Sequence, residues 1–154
     1  MGETIKLPKG LKLGKDVRTQ YGALCYRIVR GEPQVLLVTS RTRRRWIIPK
    51  GWPMETVSPH RAAGIEAWEE GGVRGKTEDR CIGVYTYTKL GDGQGPDIPC
   101  AVWVFPLKVK SLTKEYRESK QRRRKWFSLK KASKKVAEPE LREILRSFKP
   151  RQTR

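Results

Sequence analysis

The chain has 154 residues, with 35 Lys plus Arg against 16 Asp plus Glu and a formal charge of +19. That is the length of one domain, and an apolar fraction of 36% beside 33% charged residues fills one core, which excludes global disorder. No run approaches the roughly 20 apolar residues of a membrane span, and Met1 to Lys15 interleaves Lys6, Lys9, Lys12 and Lys15 with single apolar residues instead of forming the apolar stretch of a secretory signal. A cytosolic protein without a membrane association is expected. Cys25, Cys81 and Cys100 lie far apart without metal or redox spacing and read as free thiols. The excess of bases suits either a nucleic-acid partner or a small substrate with many phosphates, because both need a positive field.

From Gln20 to Val38 two apolar stretches flank Arg30-Gly31-Glu32-Pro33-Gln34, the pattern of a β-hairpin turning at the Gly and Pro. A third strand, Trp46 to Ile48, is expected to stop at Pro49, which lacks an N–H. Ser58-Pro59 then supplies a helix start; Ala62, Ala63, Ala67 and Trp68 follow at helical spacing, and Gly71-Gly72 supply a stop. Strands are expected again over Cys81 to Lys89 and Cys100 to Val109, with a flexible Gly, Asp and Pro loop over Gly91 to Pro99. After Lys125-Trp126-Phe127, a final helical pattern carries Val136, Leu141, Ile144, Leu145 and Phe148 around Pro139. The expectation is an α/β (α+β) domain with a mixed sheet. It is read as one domain over residues 1–154, with a core of about 18–148, basic tails at both ends and a monomeric state. Between Lys108 and Lys135 there are thirteen Lys or Arg and two acids, Glu115 and Glu118, a net +11.

The central helix carries Glu66, Glu69 and Glu70. Positions i, i+3 and i+4 share a face, so three like charges are expected within a few ångströms of one another and need a counter-charge. Either nearby Lys and Arg balance a solvated face, or hard carboxylate oxygens gather round Mg²⁺ or Mn²⁺. His60, in the first helical turn, is expected to be exposed and not catalytic.

Read from Gly51 to Val73, the segment resembles the Nudix box, G-x5-E-x7-R-E-U-x-E-E-x-G-U with U apolar. Gly51, Glu66, Ala67, Glu69, Glu70, Gly72 and Val73 fall at its positions, whereas Val57 stands at the first Glu and Ile65 at the Arg. The flanks Leu36 to Arg41, Arg45 to Pro53 and Arg124 to Phe127 look like the diphosphoinositol polyphosphate phosphohydrolase branch and its bacterial relatives. The resemblance implies a Nudix fold, a mixed sheet sandwiched between helices, that hydrolyses a phosphoanhydride with Mg²⁺ or Mn²⁺. It implies Glu66 and Glu70 as metal ligands with the backbone carbonyl of Lys50, and Glu69 as general base or a further ligand. Metal ions in such sites neutralise pyrophosphate oxygens and lower the pKa of a bound water. Because isoleucine cannot replace the charge of the box arginine, either Arg61, Arg74 or Lys50 takes over as its counter-charge or the enzyme is slowed.

By analogy with the same branch, Arg18, Arg41, Arg43, Arg45, Lys50, Lys89 and Arg122 are candidates for binding phosphate, for which arginine offers a bidentate fork. Asp92 or Asp97 is a candidate for an outside carboxylate at the metal. The substrate expected is a diphosphoinositol polyphosphate or a diadenosine polyphosphate. Two other readings stay open: an RNA 5′-end pyrophosphohydrolase whose Lys108 to Lys135 stretch tracks the backbone, and a basic nucleic-acid-binding protein on a Nudix scaffold weakened by Ile65.

Overall fold

A computed structural model describes residue 14 and residues 16–151 of the chain. The amino-terminal stretch read for targeting and the extreme ends of the two basic tails lie outside those residues. β1 (Arg18–Val29) and β2 (Glu32–Thr39) form the expected hairpin, but its turn is tighter. Val29 pairs with Glu32, so only Arg30 and Gly31 turn the chain, both with positive φ (52° and 80°). Two such residues match the right-handed twist of the flanking strands. Pro33 therefore sits inside β2, paired with Ile28.

β3 (Trp46–Ile47) extends the end of β2, and the chain resumes pairing after Pro49 as β4 (Lys50–Gly51), which lies against Tyr21 and Gly22 of β1. α1 (Pro59–Gly71) begins with proline in its first turn and ends at Gly72, whose φ of 64° is the left-handed conformation that glycine adopts without steric cost. β5 (Val73–Thr77) follows at once; β6 (Gly83–Lys89), β7 (Ile98–Leu112) and β8 (Arg124–Ser128) complete the strands. The last apolar stripe belongs to two helices, α2 (Leu129–Lys135) and α3 (Pro139–Ser147), with Val136 capping the first and Pro139 opening the second. Proline is favoured at that opening position, where its missing N–H would be unpaired anyway.

The sheet is mixed. β7 runs parallel to β1 from Cys100 to Lys108 along one edge, and along the other it is antiparallel first to β6 and then to β5. Side-chain alternation sends the buried strands' residues to both faces. Ala23, Cys25 and Leu36 meet Ala63 and Ala67 of α1, so small residues on both sides let the helix approach closely. Leu24, Tyr26, Val35, Leu37, Val102 and Val104 meet Ala132, Val136, Leu141, Ile144, Leu145 and Phe148 on the opposite face. The sheet is thus sandwiched between α1 and the α2–α3 pair, the arrangement expected from the resemblance.

Gly64 lies in α1 where a methyl group would sit 3.4 Å from the Thr77 side chain of β5, an ordinary contact. Close packing does not require glycine there. Gly64→Ala is expected to stabilise the protein by about 0.5–1 kcal/mol through helix propensity and a less flexible unfolded chain, read from the midpoint of urea denaturation.

Candidate active site

The three glutamates of α1 do not gather into one cluster. Successive helical residues turn by about 100°, so positions 69 and 70 straddle position 66. Glu66 and Glu70 turn together toward β4, whereas the Glu69 carboxylate meets Arg117 at 3.3 Å. Among the described residues no group of three or more His, Cys, Asp or Glu side chains is placed to hold a metal ion. The expected trio is a pair, Glu70 buried and Glu66 half-buried, with a third carboxylate on its flank.

β4 seats that pair. Glu66 lies directly against Gly51, where a Cβ would overlap its carboxyl group, so the glycine of the box is required by contact. The N–H of Lys50 donates to Oε1 of Glu70 at 3.4 Å. Glu70 is only 6% exposed. Burial pushes its pKa up, opposed by the charges of Arg122 and Lys50. Burial and the adjacent Glu70 push Glu66 up to about 8. Two carboxyl groups in contact cannot both ionise cheaply in a low dielectric.

The counter-charge comes from a residue that spacing along the helix could not reveal. Ile65 and Val57 line a second cavity, of about 680 Å³, on the other side of α1, together with Arg61, Trp68 and Arg74. Arg74 stacks over the Trp68 ring at 4.4 Å. Neither Arg61 nor Arg74 therefore replaces the missing box arginine. Arg122 does, with a side chain 8% exposed and Nη2 3.8 Å from Oε1 of Glu70. Its guanidinium is held by Oε1 of Glu118 at 3.0 Å and the carbonyl of Thr39 at 3.0 Å. Of the expected substitutes only Lys50 stands beside Glu70, with its own pKa lowered by burial despite that acid.

Arg122 belongs to a strap, residues 113–124, laid over the end of α1. Helix carbonyls at that end lack intrahelical partners. The N–H of Thr113 reaches Gly72 O at 2.8 Å, the N–H of Glu118 reaches Glu69 O at 3.1 Å, and Nη1 of Arg124 reaches Gly71 O at 2.6 Å. Glu118, Arg117 and Arg124 were not anticipated as parts of the site. The available signal was the pair of acids Glu115 and Glu118 in a segment otherwise rich in Lys and Arg.

Six of the phosphate-binding candidates, Arg41, Arg43, Arg45, Lys50, Lys89 and Arg122, line one cavity of about 550 Å³ on the α2–α3 side of the sheet. Lys50 and Arg122 both line it and touch Glu70, so they form the wall between cavity and acid pair. Arg18, exposed at the start of β1, is not among the lining residues. Tyr87 supports Lys50, whose Nζ lies 4.6 Å from the ring centre, and its hydroxyl donates to Gln20 at 2.6 Å. Asp92 pairs with Arg43 at 2.8 Å and Asp97 accepts from the N–H of Gly91 at 2.9 Å, so the 91–99 loop spends both carboxylates away from Glu66 and Glu70. His60 is half-buried, not exposed, with Nδ1 3.5 Å from Asp79.

The acid pair makes stability depend on pH. Glu66 rises from an ordinary 4.5 to about 8 on folding, so between those values the folded protein holds a proton that the unfolded chain releases. Stability then falls as pH rises through this window and is lowest above it. For the metal-free protein the melting temperature should drop between about pH 5 and 8, and Glu66→Gln should flatten that drop. Thermal melts of both proteins in chelator across the range check this.

A NUDIX domain family model matches residues 18–148. The chain is 34% identical over 113 residues to diphosphoinositol polyphosphate phosphohydrolase 3-alpha of Mus musculus, covering 72% of this chain and 64% of that protein. It is 28% identical over 133 residues to Nudix hydrolase 13, mitochondrial, of Arabidopsis thaliana, covering 76% and 66%. The chain thus spans a little under two thirds of the length of the first of these relatives. Among solved structures it is similar to a Nudix hydrolase from Nitrosomonas europaea, with a TM-score of 0.64 at 20% identity over 84% of this chain and 86% of that one. A C. elegans Ap4A hydrolase gives 0.59 at 22% identity over 84% and 94%. At these identities the structures speak for the fold, and the family model speaks for the sequence that builds it. An acidic helix entered from a glycine strand, within a match that runs from the first strand to the last helix, makes this chain a member of the Nudix family.

Proposed function

We propose that the chain is a divalent-cation-dependent pyrophosphohydrolase that cleaves a phosphoanhydride bond in a small, highly phosphorylated molecule of the diphosphoinositol polyphosphate or diadenosine polyphosphate kind. The observation that carries the reading is the shared wall: Lys50 and Arg122 face a cavity lined by six cations and, on their other side, the buried Glu70 against which Glu66 rests. The names of the relatives support this substrate class.

The acid pair suits a hard cation. Two carboxyl groups in contact need neutralising, and the high proton affinity of Glu66 marks where a cation would replace a proton. Glu66 and Glu70 would hold Mg²⁺ or Mn²⁺, which when bound acidifies a water and neutralises anhydride oxygens. The chain's own residues do the rest. Arg41, Arg43, Arg45 and Lys89 bind the phosphates, with Arg43 and Arg41 exchanging Asp92 and Glu118 for substrate oxygens. Lys50 and Arg122 keep Glu70 in place and out of bulk water. Glu69, outside the pair, is the carboxylate left to accept the proton of the attacking water.

Position 65 lines the other cavity and the acid pair has an arginine from elsewhere, which supports an active enzyme over a catalyst weakened by Ile65. The free cysteines Cys25, Cys81 and Cys100 support a reducing, cytosolic setting, and among the described residues no helix is long and apolar enough to cross a membrane.

Phosphate or nucleotide release from a diphosphoinositol polyphosphate and a diadenosine polyphosphate, with and without Mg²⁺, tests the reading. Turnover should require the cation and fall by about 10²-fold or more in Glu70→Gln; cation-independent turnover would refute it. Arg122→Ala should lower kcat by about 10–100-fold, as removal of a residue that orients a metal ligand does. Ile65→Arg should leave kcat within about threefold, since surface changes away from a site are usually mild.

A further inference from the structure

The Lys108 to Lys135 stretch does not form one surface. Its arginines Arg122 and Arg124 turn inward to the acids and carbonyls at the end of α1, and Arg117, itself exposed, pairs with Glu69. The lysines of α2 turn outward: Lys130, Lys131, Lys134 and Lys135 are all exposed, while Ala132 and Ser133 are buried. At about 100° per residue the four lysines span an arc of roughly 140°. Residues 130 and 134, and likewise 131 and 135, set like charges one turn apart, which weakens a helix. Lys130 and Lys131 also stand in the first turn, where the helix dipole disfavours cations. Exposed Arg123, just before β8, and Lys125 within it extend the same charge.

Nothing nearby offsets it. No acid occurs between Glu118 and Glu138, and among the described residues none of these six cations forms an ion pair. The patch adjoins the cavity at both ends of its sequence, since Arg122 precedes Arg123 and Ala137 lies two residues past Lys135, and both line that cavity. None of the large exposed apolar side chains, Ile28, Trp52, Ile65 and Leu90, belongs to it.

We propose that this lysine face binds the sugar-phosphate backbone of a single-stranded RNA whose 5′ end enters the cavity. The inference rests on reading the cavity as a phosphoanhydride site. Of the two nucleic acids, RNA is the one that carries such a bond at its end, as the 5′-triphosphate left by the start of transcription. An anionic membrane surface would also attract these lysines, but it offers no phosphoanhydride to the adjoining cavity. Lysines are flexible point charges that follow a phosphate backbone without reading bases. α2 carries no aromatic ring for base stacking, so binding is sequence-independent and strongly dependent on salt.

The test compares the full chain with a variant in which Lys130, Lys131, Lys134 and Lys135 are all replaced by Gln. Fluorescence anisotropy measures affinity for an RNA of roughly twenty nucleotides with a 5′-triphosphate or a 5′-hydroxyl. The parallel arms are DNA of the same sequence, a polyglutamate peptide and phosphatidylserine vesicles. The four exposed changes should weaken RNA binding at least tenfold at about 0.1 M salt and lower the slope of log affinity against log salt by about 3. Turnover of the small substrates should stay unchanged, and 5′-triphosphate RNA should bind more tightly than 5′-hydroxyl RNA. Equal RNA affinity in the two proteins, absent RNA binding, no gain in affinity from the 5′-triphosphate over the 5′-hydroxyl RNA and the DNA, or equal affinity for the polyglutamate peptide or the vesicles overturns the proposal. Lysine-dependent RNA binding without turnover of any small substrate would sink the proposed hydrolase and leave the docking surface standing. Turnover with lysine-independent RNA binding would do the reverse.

Discussion

Two carboxyl groups, Glu66 and Glu70, are pressed together under a strand in a protein whose surface is crowded with bases, and much of the remaining architecture answers that arrangement. Burying an ionised carboxylate without a partner costs several kcal/mol, so the pair must share a proton, meet cations or do both. Gly51 makes room on one side and the Lys50 N–H donates on another. Arg122 arrives from a segment far along the chain and is itself held by Glu118 and Thr39. The pair, its roof and its counter-charge therefore come from three separate parts of the chain, and none of them has the same environment without the other two.

Cations are divided by chemistry. The guanidinium groups of Arg117, Arg122 and Arg124 go to carboxylates and to the last carbonyls of α1, where a fixed fork can satisfy two acceptors at once. Lysines, whose ammonium groups are strongly hydrated, are left in water on α2. A net charge concentrated between Lys108 and Lys135 is thus partly internal wiring and partly surface field. The cavity lies at the boundary between the two, with Lys50 and Arg122 belonging to both.

Much of the fold could be read in advance because its signals are local. Apolar stretches on either side of Gly31 mark the first hairpin, and alanines at helical spacing between Pro59 and Gly72 mark α1. β5 left little trace, since Val73-Arg74-Gly75-Lys76-Thr77 has one large apolar residue and owes its strand to pairing with β7. Val136 was joined to the final stripe because periodicity alone does not show that Pro139 starts a new helix there. The site divides in the same way. Glu66, Glu70 and Gly51 are legible by spacing, and the bases flanking the box do converge on one cavity. Arg122 as the counter-charge of Glu70 was hidden, because a contact across 52 positions has no periodicity to betray it. The side of α1 to which Ile65 turns was equally hidden until the sheet was in place.

β7 also constrains the order in which the molecule can be made. Each paired residue of β1 meets one 82 positions later, from Arg18 with Cys100 to Tyr26 with Lys108, so the central parallel pairing closes a long loop. Such contacts are slow, since the entropy of closing the loop is lost before any pairing compensates it. As the chain leaves the ribosome, α1 emerges with its glutamates well before β7 is available, and Arg122 emerges later still. Until the strap is made, Glu70 lacks the arginine that offsets its burial, which disfavours docking of the charged helix on the sheet before Arg122 is in place.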